Sequence, residues 1–89
     1  MPEKTPLEEG KLIGQISHYF GKIGVAVIEL SGTLKVGETI RIAGGEVDFS
    51  QTVESMEVEH EKVKVAKKGD SVGVKLTQKV REGYKVYRL

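Results

Sequence analysis

The sequence predicts an all-β chain folded as a small closed six-stranded antiparallel barrel with Greek-key connections. Apolar residues recur in short β-branched runs with a period of two. Eleven glycines punctuate those runs, and no segment sustains a helical period. Six strands in about 80 residues favour closure, because a closed barrel leaves no free sheet edges.

Residues 1–8 carry two prolines, mixed charges and one isolated Leu7, and read as a flexible tail; the barrel is expected over residues 9–89. The first expected strand is Lys11 to Tyr19. The second, Ile23 to Leu30, is apolar on both faces, with Ile23, Val25 and Val27 on one side and Ala26, Ile28 and Leu30 on the other. Such a run is either covered twice or passes from core to contact surface. Thr39 to Ala43 alternates, with Ile40 and Ile42 inward. Phe49 to His60 reads as one long strand that changes phase, from Phe49, Gln51 and Val53 to Met56, Val58 and His60. A phase change inside a strand requires an extra residue, which places a β-bulge near Glu54-Ser55. Ser71 to Thr77 alternates again, and Tyr84 to Leu89 closes the chain. The inward set is expected to include Ile16, Val25, Val27, Ile40, Ile42, Val53, Val72, Val74, Leu76 and Val86.

A short pattern recurs: Leu34-Lys35-Val36-Gly37-Glu38-Thr39-Ile40, Ala66-Lys67-Lys68-Gly69-Asp70-Ser71-Val72 and, more loosely, Val80-Arg81-Glu82-Gly83-Tyr84-Lys85-Val86. Each copy places glycine just before a strand, where a tight turn needs positive φ. The copies are unevenly spaced, so they predict three turns of one geometry rather than a tandem repeat.

Composition excludes several functions. A chain of 89 residues is one domain. There is no cysteine, hence no disulfide and no thiolate nucleophile, and His18 and His60 lack metal-ligand spacing. No metal and no cofactor is expected. No apolar run approaches the roughly 18 residues of a membrane span, and the first residues lack the order of a signal peptide; a cytoplasmic protein is the expectation. Absence of asparagine with abundant Val, Ile, Lys and Glu leans toward a heat-adapted source. Gly21-Lys22 is not a phosphate loop, because Ile16 and Ile23 stand where Gly and Ser or Thr are required. GTP binding and catalysis by this chain alone are not expected.

Recognition remains. Net charge is only +1, but Glu46 to Glu61 holds six acids and no Lys or Arg, whereas Lys62 to Leu89 holds nine bases and two acids. Two oppositely charged strands paired across a sheet would account for this, and so would a partner surface. Tyr19 and Phe20, adjacent on a strand, point opposite ways, so one ring is expected inward and one outward. His18, Tyr19, Phe20 and Lys22 could stack a base and reach a phosphate, with Lys62, Lys64, Lys67 and Lys68 as a second basic cluster.

Gly32-Thr33-Leu34-Lys35-Val36-Gly37-Glu38, an Ile-x-Ile strand and Ala66-Lys67-Lys68-Gly69-Asp70-Ser71-Val72-Gly73-Val74 resemble domain 2 of elongation factor Tu and its relatives over roughly Leu12 to Leu89. The family's Arg-Gly-Thr-like first turn is here Gly21-Lys22-Ile23-Gly24, and its Thr-Gly-Arg-Val is replaced by Val27-Ile28-Glu29-Leu30. The family's aminoacyl-end site therefore does not carry over. Asp48-Phe49-Ser50-Gln51-Thr52-Val53-Glu54-Ser55-Met56 and Gly24-Val25-Ala26-Val27-Ile28-Glu29 also resemble strands of the C-terminal barrel of the collagenase-like peptidase family, without its catalytic domain. These resemblances imply a free-standing, non-catalytic binding module for RNA or a ribonucleoprotein. The alternative they imply is a protein-interaction module, an accessory subunit of a separately encoded peptidase-like enzyme.

Overall fold

A computed structural model describes residues 11–45 and 47–89. The β-branched runs form β1 (Lys11–Phe20), β2 (Val25–Leu30), β3 (Leu34–Lys35), β4 (Thr39–Gly44), β5 (Val47–Thr52), β6 (Met56–Val58), β7 (Glu61–Val63), β8 (Val65–Ala66), β9 (Ser71–Lys75) and β10 (Lys85–Arg88). Among the described residues no helix is long and apolar enough to cross a membrane. The expected tail over residues 1–8 lies outside the described residues.

The all-β expectation holds, but the closed six-stranded barrel does not form. Eight strands make one antiparallel sheet in the order β5-β4-β10-β1-β2-β9-β6-β7, and β3 and β8 make a separate two-stranded ribbon. No ladder joins β5 to β7 among the described residues, so the sheet is open. The expected long strand from Phe49 to His60 is the physical reason. It breaks at residues 53–55 instead of bulging, and its halves go to different neighbours, β5 to β4 and β6 to β9. The phase change near Glu54-Ser55 marks a change of partner and not a bulge. The sheet nevertheless curls around one core, in which Ile13, Ile16, Ile28, Ile40, Met56 and Val86 are among the side chains closed off from solvent.

Curling is held by a device repeated three times. Gly37, Gly69 and Gly83 have φ of 97°, 93° and 92°, the shared turn geometry expected from sequence. In each turn the glycine N–H donates to the carbonyl of one buried residue in a neighbouring strand segment: Val53 at 2.8 Å, Leu30 at 2.9 Å and Ile16 at 2.7 Å. That same residue donates its own N–H back to the residue after the glycine, Glu38, Asp70 or Tyr84, at 2.9, 3.0 and 2.8 Å. Each exchange adds a rung to the ladder of the strand that follows. In the first two turns the acid reaches back: Glu38 Oε1 accepts from Lys35 N and Asp70 Oδ2 from Lys67 N, both at 2.9 Å. Tyr84 has no carboxylate, so the third turn keeps only its 3.3 Å backbone bond to Arg81.

The second strand corrects the expected core. Ala26, Ile28 and Leu30 are buried, whereas Val25 and Val27, expected inward, are half-buried on the opposite face. The clamp on Leu30 and the pairing of Ile28 with Ile16 settle which face turns in. The remaining expected inward residues, Ile16, Ile40, Ile42, Val53, Val72, Val74, Leu76 and Val86, are buried.

On the β4–β5 hairpin, Arg41 grips Asp48 through two bonds of 2.8 and 2.6 Å. The hydrogen bond from that guanidinium holds the Asp48 carboxyl below its usual range. A carboxyl lowered in the folded state supports folding above its unfolded pKa and loses that support as pH falls through the folded value. Replacing Arg41 with Gln should raise the Asp48 midpoint back toward the ordinary carboxylate range, which a carboxyl NMR titration would show. Val at position 37, 69 or 83 should destabilise by more than about 1 kcal/mol each, because a β-branched residue cannot hold that φ without strain; urea unfolding checks this.

Candidate functional site

The outward face of β1, β2, β9, β6 and β7 owes its character to a β-bulge in the first strand. The register of β1 against β2 shifts between Ile16 and His18, leaving Ser17 as the extra residue. Its hydroxyl donates to Val27 O at 3.2 Å. Ile16 points inward; the extra residue then reverses parity, so Tyr19 turns toward the core while His18 and Phe20 face out. One inward and one outward ring is the arrangement expected from sequence.

Antiparallel pairing then lines up a cross-strand row, His18, Val27, Gly73, Glu57 and Lys62, beside a second row of Phe20, Val25 and Lys75. At the centre of the first row Gly73 has no side chain, and only Val25 Cγ1 at 3.5 Å and Glu57 O at 3.9 Å would meet a Cβ there. An open groove of about 540 Å³ results. Phe20, Ile23, Val25 and Val27 supply apolar surface; Glu57, Glu59, His60 and Lys62 lie toward the other side. Ile23, in the turn between β1 and β2, is 60% and Phe20 46% exposed, so two large apolar side chains meet solvent at this end of the groove. His18 stacks obliquely on Phe20, with ring centroids 4.5 Å apart, and its Nδ1 lies 3.3 Å from Glu82 Oε2.

The groove's far end is a two-residue hairpin turn with Glu59 at φ 54° and His60 at φ 70°. Two positive values are the requirement of a type I′ turn, ordinarily met by Asn-Gly. Here two bulky side chains occupy the strained positions and border the groove.

The structure divides the sequence-predicted site residues. Phe20 and Lys62 line the groove and His18 stands beside it. Tyr19 is half-buried against the core, and Lys22 is exposed in the turn after β1. Lys64, Lys67 and Lys68 are exposed on or after the segment leading into the β3–β8 ribbon and do not line the groove. The opposite charges of residues 46–61 and 62–89 meet where Glu57 faces Lys62 across β6 and β7. Sequence reading missed Gly73, whose signal was a glycine inside a strand. It also missed the Ser17 bulge, which carries no signal of its own. Among the described residues no group of three His, Asp or Glu side chains could hold a metal ion.

Fold and surface together define a small all-β domain of translation-factor domain 2 architecture, with an open, partly apolar groove on one sheet face. The family described as elongation factor Tu domain 2 matches residues 23–86, and the chain belongs to it. Its sequence is also similar to larger proteins. An uncharacterized protease of Methanocaldococcus jannaschii is 46% identical over 78 residues, covering 86% of this chain and 19% of that protein. A collagenase of Porphyromonas gingivalis is 36% identical over 78 residues, covering 85% and 22%. The chain thus spans about a fifth of the length of the curated relatives it matches. Among solved structures, the C-terminal domain of a Geobacillus thermoleovorans protein described as a U32 peptidase superposes with a TM-score of 0.83 at 19% identity, over 99% of both chains. At that identity the likeness concerns the fold.

The two rings make a direct test of the face assignment. Tyr19→Ala should lower the thermal midpoint, since it removes packing from the core. Phe20→Ala should leave stability within about 0.5 kcal/mol. Equal losses in differential scanning calorimetry would contradict the parity reversal at Ser17.

Proposed function

We propose that this chain is a non-catalytic docking domain, whose outward β2–β9 face seats against a peptidase-type catalytic partner, in its specific form a separately encoded one. The observation that carries this is the groove. Phe20 and Ile23 are exposed and Val25 and Val27 half-buried on one side of a floor that a single strand glycine keeps open, and charged groups line the other side. Apolar surface flanked by polar groups is what protein–protein contacts present. The strained Glu59-His60 turn supports the same reading, because glycine would relieve it at the expense of two side chains at the rim. The relatives support the choice of partner: a protease and a collagenase contain a segment like this one and are about five times longer.

RNA binding through His18, Tyr19, Phe20 and the lysines has less behind it. A base-stacking platform needs exposed rings beside a basic track. Tyr19 is turned in, and Lys64, Lys67 and Lys68 are not gathered with Phe20.

The test is co-purification with a peptidase-like catalytic unit similar to the remaining four fifths of the Methanocaldococcus protein. Wild-type chain should comigrate with it. Gly73→Val, which fills the groove floor where a Cβ meets no close atom, should weaken binding more than tenfold while keeping the thermal midpoint. Ile23→Glu should do the same. Retained binding in both variants would refute this face as the docking surface. Tight RNA binding at about 50 mM salt, where phosphate contacts are strong, without any protein complex would restore the RNA reading.

A further inference from the structure

A second groove of about 770 Å³ opens between β5 and the tail of β9, bordered by Gln51, Glu54, Ser55, Lys75 and Thr77. β6 pairs with β9 only from Val72 to Val74. Beyond that point no strand among the described residues lies on that side of β9. On the other side, Leu76 N donates to Gly24 O at 2.8 Å. Backbone groups alternate along a strand, so Lys75 C=O and Thr77 N–H face the open side. The Gln51 carboxamide occupies both. Its Nε2 donates to Lys75 O at 2.9 Å and its Oε1 accepts from Thr77 N at 2.8 Å, with the Thr77 hydroxyl also at 3.2 Å. A donor to one residue's carbonyl and an acceptor from the N–H two residues on is the bonding of a parallel strand beside Leu76. A side-chain amide thus stands in for the peptide groups of a missing strand.

We infer that this seam is an acceptor site for an extended polypeptide segment, which displaces the Gln51 carboxamide and pairs with Lys75–Thr77. Recognition is by main-chain groups, with Glu54 and Lys75 at the mouth favouring a segment that carries both charge signs. The site stands independently of the docking face, although Ser55 and Lys75 border both grooves.

The experiment is an NMR titration of the isotope-labelled chain with an eight-residue peptide of alternating Val and Thr carrying one Lys and one Glu. Binding should shift the Gln51 side-chain amide and the backbone amides of Thr77 and residues 47–52. Gln51→Ala removes the internal competitor and should bind about tenfold tighter, equivalent to about 1.4 kcal/mol. Thr77→Pro deletes the donor and should bind at least tenfold more weakly. If Gln51→Ala does not fold, Gln51→Met keeps the chain length without the amide and should show the same gain; if Thr77→Pro does not fold, the glutamine variants decide. Shifts confined to other strands, or weaker binding by the folded Gln51 variant, would overturn the inference. Seam shifts that grow with protein concentration in the absence of peptide would also overturn it, by making a second copy the occupant.

Discussion

Three reciprocal backbone exchanges, Gly37/Glu38 with Val53, Gly69/Asp70 with Leu30 and Gly83/Tyr84 with Ile16, hold this sheet in its curl. Each involves a residue whose side chain is buried, at 0%, 5% and 0% exposure, so its main-chain groups have little access to water and need protein partners. The turn glycine meets that need and starts the next strand in one step. Positive φ aims its N–H at the neighbouring segment, and the following residue's carbonyl accepts the return bond. The same motif at three places couples β4 to β5, β9 to β2 and β10 to β1. A chain this short cannot bury a large core, and these rungs let short strands share one.

That constraint explains why the second strand divides its apolar residues as it does. With Leu30 fixed by the Gly69 turn and Ile28 set opposite Ile16, the alternate residues Val25 and Val27 must face outward. The Ser17 bulge then brings Phe20 to the same outward face, opposite Val25. The apolar side of the groove is therefore a consequence of core register, and it lies directly behind the core-facing side of β2. A site on rigid strands loses little entropy on binding.

The legible part of the structure was the part set by local chemistry. The three turns announced themselves through Lys-x-Gly-acid spacing, because both the glycine and the carboxylate act within four residues. Ile40, Ile42, Val72 and Val74 were legible because polar neighbours marked the other face. Val25 and Val27 were not, since a run that is apolar on both faces leaves its orientation to tertiary contacts. β3, β7 and β8, of two or three residues each, are too short to display a period. The break at residues 53–55 looked like a bulge because a bulge and a change of partner leave the same phase shift in sequence. The candidate site was half legible for the same reason: Phe20 could be assigned to a face with its neighbour Tyr19, but the convergence of Ile23, Gly73 and His60 depends on strand order, which no local pattern encodes.

Openness of the sheet has a physical cost that Gln51 offsets. An unpaired edge offers its backbone groups to any passing strand, and a small barrel ordinarily removes that hazard by closing its ladder. Here no ladder joins β5 to the tail of β9 among the described residues, and one carboxamide bridges them. A side chain can leave by rotating about a few single bonds, whereas a rung of a ladder leaves only if the strand moves. Closure by Gln51 therefore protects the edge at rest and leaves it locally reversible. The Gly69 and Gly83 rungs lie in other parts of the sheet, so the seam can part while Ile16 and Leu30 stay bonded. Rigidity at the groove and a side-chain clasp at the seam follow from the same division between backbone-held and side-chain-held contacts.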